Sequence, residues 1–426
     1  MPRNHNCKLG HPLPTSRHRR SRLASFKPAS LTVAVGLALA ASDALALGSD
    51  TVFISGSTGL KYDTNVFLVS NELTPQQVQG FTGSTEKSDT IYWVGAGISA
   101  DVPYSRQRFQ ANLNVTNYDY RRFSFLNYTG GSGQAQWLWQ AGDDWNGDVG
   151  AQLSRSLQSL YYTNQRNIID RENYYFDPKY RIAPNWELQG GVSYGTTRND
   201  LASFDVNDLN ETSGYLGSRY ITPSGNSVGL RLSTSKVEFP NIIFVSGSSF
   251  DNAYRENRLS TFFDWTFSGA SKVDGSWGYA VRTHDHLPQR DFSSWIGSAG
   301  WTWTPTAKTS VRTQLSRNVG GLEDIAVTYV RTYTFSIVST YQVSSKVAVN
   351  GTLQYQDYRF FGNTGFGFST TSNRHDTLPY AGLGLTYQAM RTLEFGFNYN
   401  GSHRSSNVPF GDFNDQTVSL SAVLRF

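Results

Sequence analysis

Cysteine and long apolar segments are nearly absent from this chain. Of its 426 residues only Cys7 carries a thiol, and the apolar run at 31–41 is too short to span a bilayer as a helix, which takes about 20 residues. If Cys7 is removed by processing, disulfides and thiolate metal sites are excluded. A disulfide-stapled small domain and a bundle of membrane-spanning helices are therefore both ruled out.

The first 46 residues have the composition of a secretory signal peptide. A basic head precedes the apolar run, and Ala44-Leu45-Ala46 then offers small residues at the spacing of a cleavage site. We predict that 1–46 is a Sec-type signal with cleavage after Ala46, and that 47–426 forms one domain. The basic residues of the head are Arg3, Lys8, Arg17, Arg19, Arg20, Arg22 and Lys27.

The net positive charge of the whole chain belongs to this head. Removing its seven basic residues together with Asp43 changes 37 basic against 33 acidic side chains into 30 against 32. A mature chain near neutrality gives no support for nucleic-acid binding. Without disulfides, its stability must come from extensive backbone pairing.

Aromatic residues are abundant although the mean hydropathy is only −0.42. They make up 14% of the chain and stand at alternate positions, with Asn, Gln, Ser, Thr and Arg between them. Strict alternation indicates strands with one apolar and one polar face. A polar face this hydrated does not suit a packed sandwich, whereas a barrel in lipid needs an apolar exterior and tolerates a wet interior.

The alternating segments number eighteen, and the spacers between them are short and long in turn. This regularity predicts an all-β, antiparallel, up-and-down transmembrane barrel of 16–18 strands, with short periplasmic turns and long external loops. The predicted strands are 51–62, 89–102, 107–120, 133–141, 145–157, 171–182, 186–197, 211–221, 227–237, 255–267, 273–284, 292–303, 309–318, 327–341, 346–358, 375–388, 392–402 and 416–426.

The last segment, TVSLSAVLRF, alternates up to the final residue. We expect it to be the strand that closes the barrel on the first one, because an open sheet edge cannot exist in hydrocarbon. Its apolar face consists of Val418, Leu420, Ala422, Leu424 and Phe426. The terminal Phe426 resembles the C-terminal signature of bacterial outer-membrane proteins, which implies recognition by the barrel insertion machinery. We place it in a periplasmic aromatic girdle with Trp145, Trp186, Trp301, Trp303 and Tyr387.

Two stretches go beyond general barrel patterns. LKYDTNVF at 60–67 follows the first strand, and residues 105–156 run from SRQRFQANLNV to AQLSRS. Their order resembles the EpsL-like outer-membrane proteins of exopolysaccharide operons, within the β-barrel porins of Gram-negative bacteria. The likeness is best over 50–160 and implies a role in polysaccharide production or export. Its motif is Tyr62, Asp63, Thr64 and Asn65. Calcium takes about six to eight oxygen ligands, and Asp63 and Asn65 supply only two such side chains, so an Asx turn is favoured over calcium ligation.

Strand parity points a set of basic side chains into the lumen. They could form a track for an anionic polymer, or they could pair with inward carboxylates across the strands and simply hydrate the wall; the second reading is favoured. The set is Arg108, Lys179, Arg181, Arg231, Arg258, Arg282, Arg312 and Arg425.

The sequence contains no nucleophile, base and orienting group in a recognisable arrangement. His284 and His286 form an isolated pair, which we interpret as exposed loop residues. No enzyme activity and no cofactor are therefore predicted.

We expect a passive outer-membrane channel or accessory protein for exopolysaccharide, gated by the loops at 63–88, 238–254 and 359–374. The alternative is a general diffusion porin; a plugged structural barrel and a barrel enzyme are further classes. Expected partners are membrane lipid, the insertion machinery, polysaccharide and other export components.

Overall fold

The computed structural model describes residues 51–161, 163–245, 248–320, 329–361 and 373–426. The signal peptide predicted at 1–46 lies outside the described residues, as does most of the gating loop predicted at 359–374. Among the described residues, no helix has the length and apolar content needed to cross a bilayer.

Strands account for most of the described chain. Most of them begin where the period-2 alternation begins and end at a turn or loop rich in Gly, Pro, Asn, Asp or Ser. The strands are β1 (Val52–Asp63), β2 (Asp89–Tyr104), β3 (Gln107–Tyr120), β4 (Tyr128–Ala141), β5 (Trp145–Leu157), β6 (Ile168–Ala183), β7 (Trp186–Asn199), β8 (Leu209–Ile221), β9 (Ser227–Glu238), β10 (Ile243–Val245), β11 (Ser248–Phe250), β12 (Tyr254–Ser268), β13 (Ser271–His284), β14 (Phe292–Thr306), β15 (Thr309–Gly320), β16 (Tyr329–Gln342), β17 (Val347–Phe361), β18 (His375–Gln388), β19 (Leu393–Ser406) and β20 (Phe413–Arg425).

Among the described residues, helices occur only in the loops. The helix α1 (Pro75–Thr82) begins after Thr74, whose hydroxyl accepts a hydrogen bond from the amide of Gln77 while the Gln77 side chain accepts one from the Thr74 amide. This capping box and a proline in the first turn fix its start. Short 3₁₀ turns are Ser124–Leu126, Ala202–Asn207 and Pro288–Arg290.

Eighteen of the strands form one closed antiparallel sheet. Each pairs with its neighbours in sequence, with two special junctions: β9 pairs with β12, because β10 and β11 form a separate hairpin in the intervening loop, and β20 pairs with β1. The predicted closed all-β barrel is thus confirmed, with eighteen strands. The hairpin was not predicted, since the sequence indicates a loop over 238–254.

The two faces of this sheet differ in chemistry. Large apolar side chains point outward and are exposed, for example Leu232 on β9, Leu259 on β12 and Trp277 on β13. Leu232 faces Leu259 in the register, and Leu259 in turn faces Tyr279, two residues from Trp277 on the same face of β13, so the apolar band continues from strand to strand. In a bilayer such a band faces lipid, where an arginine or lysine at the midplane would cost about 2–4 kcal/mol.

Strand ends agree with the sequence pattern better on the short-turn rim than on the long-loop rim. The structure starts β4 at Tyr128 rather than 133, and β20 at Phe413 rather than 416. The predicted start was too late for β4 because its glycines at 130, 131 and 133 carry no alternating side chains. Tyr118 nevertheless faces Tyr128 in the ladder, and their rings stack 4.8 Å apart.

The apolar face of β20 pairs with that of β1. Leu420 faces Leu60, Val418 faces Tyr62, and the register continues through Ala422 and Leu424. Beyond the last strand residue, the amide and carbonyl of Phe426 both bond to the backbone of Ile54, at 2.8 and 3.2 Å. The Phe426 ring is 71% exposed, on the rim where Trp145, Trp186, Trp301, Trp303 and Tyr387 are also exposed.

Closure of the barrel can be tested with a disulfide between β1 and β20. Ser57 faces Val423 at a position that alternates with the hydrogen-bonded pairs, where Cα atoms lie about 4.5 Å apart. In a chain lacking Cys7, Ser57→Cys with Val423→Cys should oxidise to an intramolecular disulfide that alters mobility on a boiled, non-reducing gel. The control, Ser57→Cys with Ser419→Cys, is displaced by about 13 Å along the strand and should not react. Equal cross-linking in both variants would contradict the register.

Candidate functional site

The inner face of the barrel is the candidate site, because it collects the polar half of every strand. In the register, residues that face one another across strands share a side of the sheet, so the face opposite the exposed apolar band can be followed around the ring. Between its charged rims this face is lined by uncharged hydroxyl and amide side chains. Examples are Asn112, Ser132, Gln134, Gln152, Asn173, Ser213, Ser298, Gln314, Ser336, Asn350, Gln354, Asn398 and Ser421.

All eight predicted basic residues lie on this inner face by register. Most of them are bound to carboxylates, so they do not form a continuous positive track. The ion pairs are Arg108–Asp101 at 2.6 Å, Lys179–Asp148 at 3.9 Å, Arg282–Glu256 at 2.7 Å, Arg312–Asp274 at 2.8 Å and Arg425–Glu394 at 3.0 Å, and Arg258 also bonds to Glu256. The favoured reading, in which charges pair across strands, fits these contacts.

The pair between Arg312 and Asp274 shows how closely such charges are matched. Both guanidinium nitrogens donate to the carboxylate, at 2.8 and 2.9 Å, and Arg312 also donates to the hydroxyl of Thr302. The two strands are not neighbours; β14 runs between them, and Gly300 lies beneath the pair. A Cβ there would come within 2.5 Å of Arg312 and 3.1 Å of Asp274. The absent side chain leaves room for the bidentate contact.

The remaining two basic residues behave differently. Arg231 donates to Gln189 at 3.2 Å, and its guanidinium lies over the rings of Tyr215 and Phe262, 4.2 and 5.3 Å from their centroids. These contacts fix the cation against the wall by cation–π attraction. Arg181 is exposed near the short-turn rim.

The motif residues Tyr62 to Asn65 connect the end of β1 to the following loop. The Asp63 carboxylate accepts a hydrogen bond from the Asn65 amide at 3.0 Å, which closes an Asx turn, and it pairs with Lys61 at 3.0 Å. Tyr62 points outward and is 46% exposed. No metal role is needed to account for the oxygens of Asp63.

Asn65 is the structural anchor of this motif. It is 2% exposed; its amide donates to the carbonyls of Val69 and Asn414, and its oxygen accepts from the Val69 amide. The hydroxyl of Thr64 adds a bond to Asp415 at 3.2 Å. The motif therefore fixes loop 64–88 to β20 across the closing seam.

Three long loops share a small hydrophobic core at the long-loop rim, which we call the loop cap. It joins loop 64–88, loop 121–127 and loop 158–167, and its rings pack edge to face, Phe67 against Phe123 at 4.8 Å. The cap consists of Val66, Phe67, Val69, Val78, Phe123, Leu126 and Leu160. Loop 64–88, a predicted gate, is thus packed in place by its neighbours.

Loop 158–167 also reaches the far side of the seam through Tyr161. Its hydroxyl accepts a hydrogen bond from Arg374, its ring lies 4.0 Å from the guanidinium carbon of Arg404, and it packs against Phe413. Both arginines pair with Asp376, which is completely buried. We call Tyr161, Arg374, Asp376 and Arg404 the rim clamp.

The electrostatics of the rim clamp are those of a charge network with an excess of cations. Burial disfavours the charge of Arg374, but its hydrogen bonds to Asp376 and Tyr161 outweigh this effect, so the pKa of Arg374 lies above its ordinary value. The clamp was not predicted from the sequence. Parity places Asp376 inward, but Arg404 lay beyond the predicted end of its strand and nothing local connects either residue with Tyr161.

The two histidines singled out in the sequence, His284 and His286, lie in different surroundings. Contrary to the sequence-based interpretation, His284 is buried: it ends β13, its Nδ1 lies 3.2 Å from Asp291 and its ring lies beside Tyr254. His286 is exposed, as expected. Within the described residues, no group of three or more His, Cys, Asp or Glu side chains could hold a metal ion.

Comparison with known proteins agrees with this geometry. Residues 266–426 match the model of a family described as "Putative beta-barrel porin 2". The structure of OccK9 (OpdG) from Pseudomonas aeruginosa superposes with a TM-score of 0.50 at 11% identity, covering 88% of this chain and 99% of that one. In fold, this chain is similar to porin-type outer-membrane β-barrels.

Two further structures of Pseudomonas aeruginosa proteins resemble this barrel. OpdK with vanillate gives a TM-score of 0.48 at 11% identity, covering 88% of this chain and 99% of that one. OccK2 (OpdF) in complex with glucuronate gives 0.48 at 9% identity, with 88% and 98% covered. No curated protein matches the sequence. At these identities the likeness concerns the fold alone.

Loss of the rim clamp should loosen loop 158–167. Tyr161→Ala removes the ring and the acceptor that hold this loop to Arg374 and Arg404, so trypsin should cleave after Arg166 about fivefold faster, since local opening governs such cleavage. Mass spectrometry of timed digests of the detergent-purified protein would measure the rate. Tyr104→Ala, an exposed tyrosine at the opposite rim, should leave cleavage unchanged. An equal rate in the Tyr161 variant would show that the clamp does not hold the loop.

Proposed function

We propose that this barrel is a passive channel for uncharged, hydroxyl-rich solutes. The observation that carries the proposal is the pairing of charges on the inner face: six of the eight predicted basic residues bind carboxylates, and the wall between them is lined with Ser, Thr, Asn and Gln. Eighteen strands are enough to enclose an aqueous lumen.

Paired charges and free hydroxyls have different effects on a passing solute. A track of unpaired cations would focus a positive potential and concentrate anions. Ion pairs cancel most of that field, whereas hydroxyl and amide groups replace the hydrogen bonds that a sugar gives up with its water. The inner face therefore suits neutral, hydroxylated molecules better than an anionic polymer.

Exopolysaccharide export is the narrower form of this proposal. It is supported by the resemblance of residues 50–160 to the EpsL-like proteins, and the chemistry of the lumen suits a neutral stretch of polymer. A general diffusion porin for small solutes accounts for the same wall. Recognition of β20 and Phe426 by the insertion machinery, and contacts with other export components, remain predictions of the sequence.

Reconstitution tests whether the protein conducts, and it distinguishes polysaccharide export from general diffusion of small solutes. In planar bilayers the purified protein should give single-channel steps, and proteoliposomes should swell faster in neutral sugars than in charged solutes of equal size. Absence of both would contradict the proposal and favour a plugged barrel. Block of the current by neutral polysaccharide, but not by monosaccharide, would favour export over general diffusion.

The effect of paired charges can be measured with one substitution. Asp274→Asn leaves the guanidinium of Arg312 without its carboxylate, so the lumen gains one positive charge and the reversal potential in a salt gradient should shift toward anion selectivity. The matched control is Asp143→Asn, which removes a carboxylate exposed at a turn and paired with Arg106. The control should not shift the potential; an equal response in both variants would show that lumen pairing does not set selectivity.

A further inference from the structure

The inner wall over β3 to β8 contains a continuous polar depression. Its upper part, of about 560 Å³, and its lower part, of about 310 Å³, share Gln152 and Asn173 as lining residues. Amides and hydroxyls line most of the upper part, which also includes Arg171, Glu172 and Glu211, and the lower part adds two aromatic rings, those of Tyr175 and Tyr215.

Tyr175 lies along the wall because its partner across the strand pair is a glycine. It faces Gly150 in the ladder, and a Cβ on that glycine would come within 2.6 Å of the tyrosine Oη and 2.8 Å of Cζ. Its hydroxyl reaches Gln136 on β4, 3.4 Å away. The ring therefore leans over the backbone of β5 and remains only half buried, open toward the lumen.

Tyr215 repeats this arrangement two strands further on. It faces Gly191, where a Cβ would come within 2.8 Å of the tyrosine Cζ and would also meet the carboxylate of Asp177. Arg231 covers the Tyr215 ring at 4.2 Å. Tyr215 is thus fixed on both sides, which leaves Tyr175 as the ring with room for a ligand.

Polar groups surround the open ring on neighbouring strands. The hydroxyls of Ser193 and Ser213 bond to each other at 2.7 Å, Gln189 accepts from Arg231, and Asn173 borders both parts of the depression. The charges nearby are of both signs: Arg171, Glu172 and Glu211 line the upper part, Asp177 lines the lower part, and Arg231 lies over Tyr215. A bound molecule is therefore offered a flat apolar surface, several hydrogen-bond partners and a mixture of charges with no excess of cations.

We propose that this depression is a saccharide-binding site, with Tyr175 stacking on a sugar ring. A pyranose has an apolar C–H face and a rim of hydroxyls, which is the chemistry that the ring and the surrounding amides complement. The mixed charges favour a neutral sugar over an anionic one. The inference rests on the proposed channel function and deepens it, because it gives the channel a subsite that binds sugar transiently during passage.

Maltohexaose is the probe, and its residence time in the lumen is the measurement. It should interrupt the single-channel current of the unaltered protein, and Tyr175→Ala should shorten the interruptions about tenfold, a change equal to about 1.4 kcal/mol, while the open-channel conductance stays the same or rises slightly. Tyr175→Phe keeps the ring and should keep most of the residence time. Tyr194→Ala, which removes an outward-facing ring that is 45% exposed on β7, is the matched control and should have no effect.

Heat-modifiable mobility on gels would establish that each variant still forms the barrel. A channel that conducts but ignores maltohexaose, or a Tyr175→Ala variant that retains it as long as the unaltered protein, would overturn the saccharide site and leave the channel proposal standing. If the protein does not conduct, the channel proposal fails. In that case the saccharide site is tested by the quenching of intrinsic fluorescence when maltohexaose is added to the protein in detergent. Quenching that is lost in Tyr175→Ala supports the site. Quenching that is absent from the unaltered protein, or that is unchanged in Tyr175→Ala, overturns it.

Discussion

The whole structure depends on backbone hydrogen bonding in a medium without water. Each N–H or C=O left unpaired in hydrocarbon costs several kcal/mol, so a sheet in the membrane is stable only when it has no edge. The junction of β20 with β1 removes both edges at once and continues to the backbone of Phe426. With no cysteine among the described residues, this ladder takes the place of covalent cross-links.

The same closure divides the chemistry of the chain into two surfaces. Because the lipid takes the apolar positions, most polar positions are turned toward the lumen, where charges are satisfied by each other, by aromatic rings, by water or by a solute. Arg312 and Asp274 meet across an intervening strand over Gly300, and Arg231 lies between two aromatic rings. The result is a wall with little net field and many hydroxyls and amides, on which the proposals for neutral solutes and for a sugar site depend.

The long-loop rim is built by a different kind of packing. There the loop cap buries Phe67 and Leu126 away from both lipid and lumen, and Tyr161 joins loop 158–167 to strands near the end of the chain. Asn65 holds the first loop to β20 from the other direction. The seam is therefore fastened at its upper end by side chains as well as along its length by the ladder.

The sequence by itself determined the strand number, the faces of the strands and the closing partner of the last segment, because a period of two residues records which side meets lipid. It also assigned Arg312 and Arg425 to the inner face. It could not show that Arg312 meets Asp274 or that Tyr161 meets Arg404, and it misplaced His284 in an exposed loop. Those contacts join residues on different strands and loops, so they depend on register and loop paths, which only the tertiary structure decided: alternation along one strand fixes a side chain's direction but not its partner.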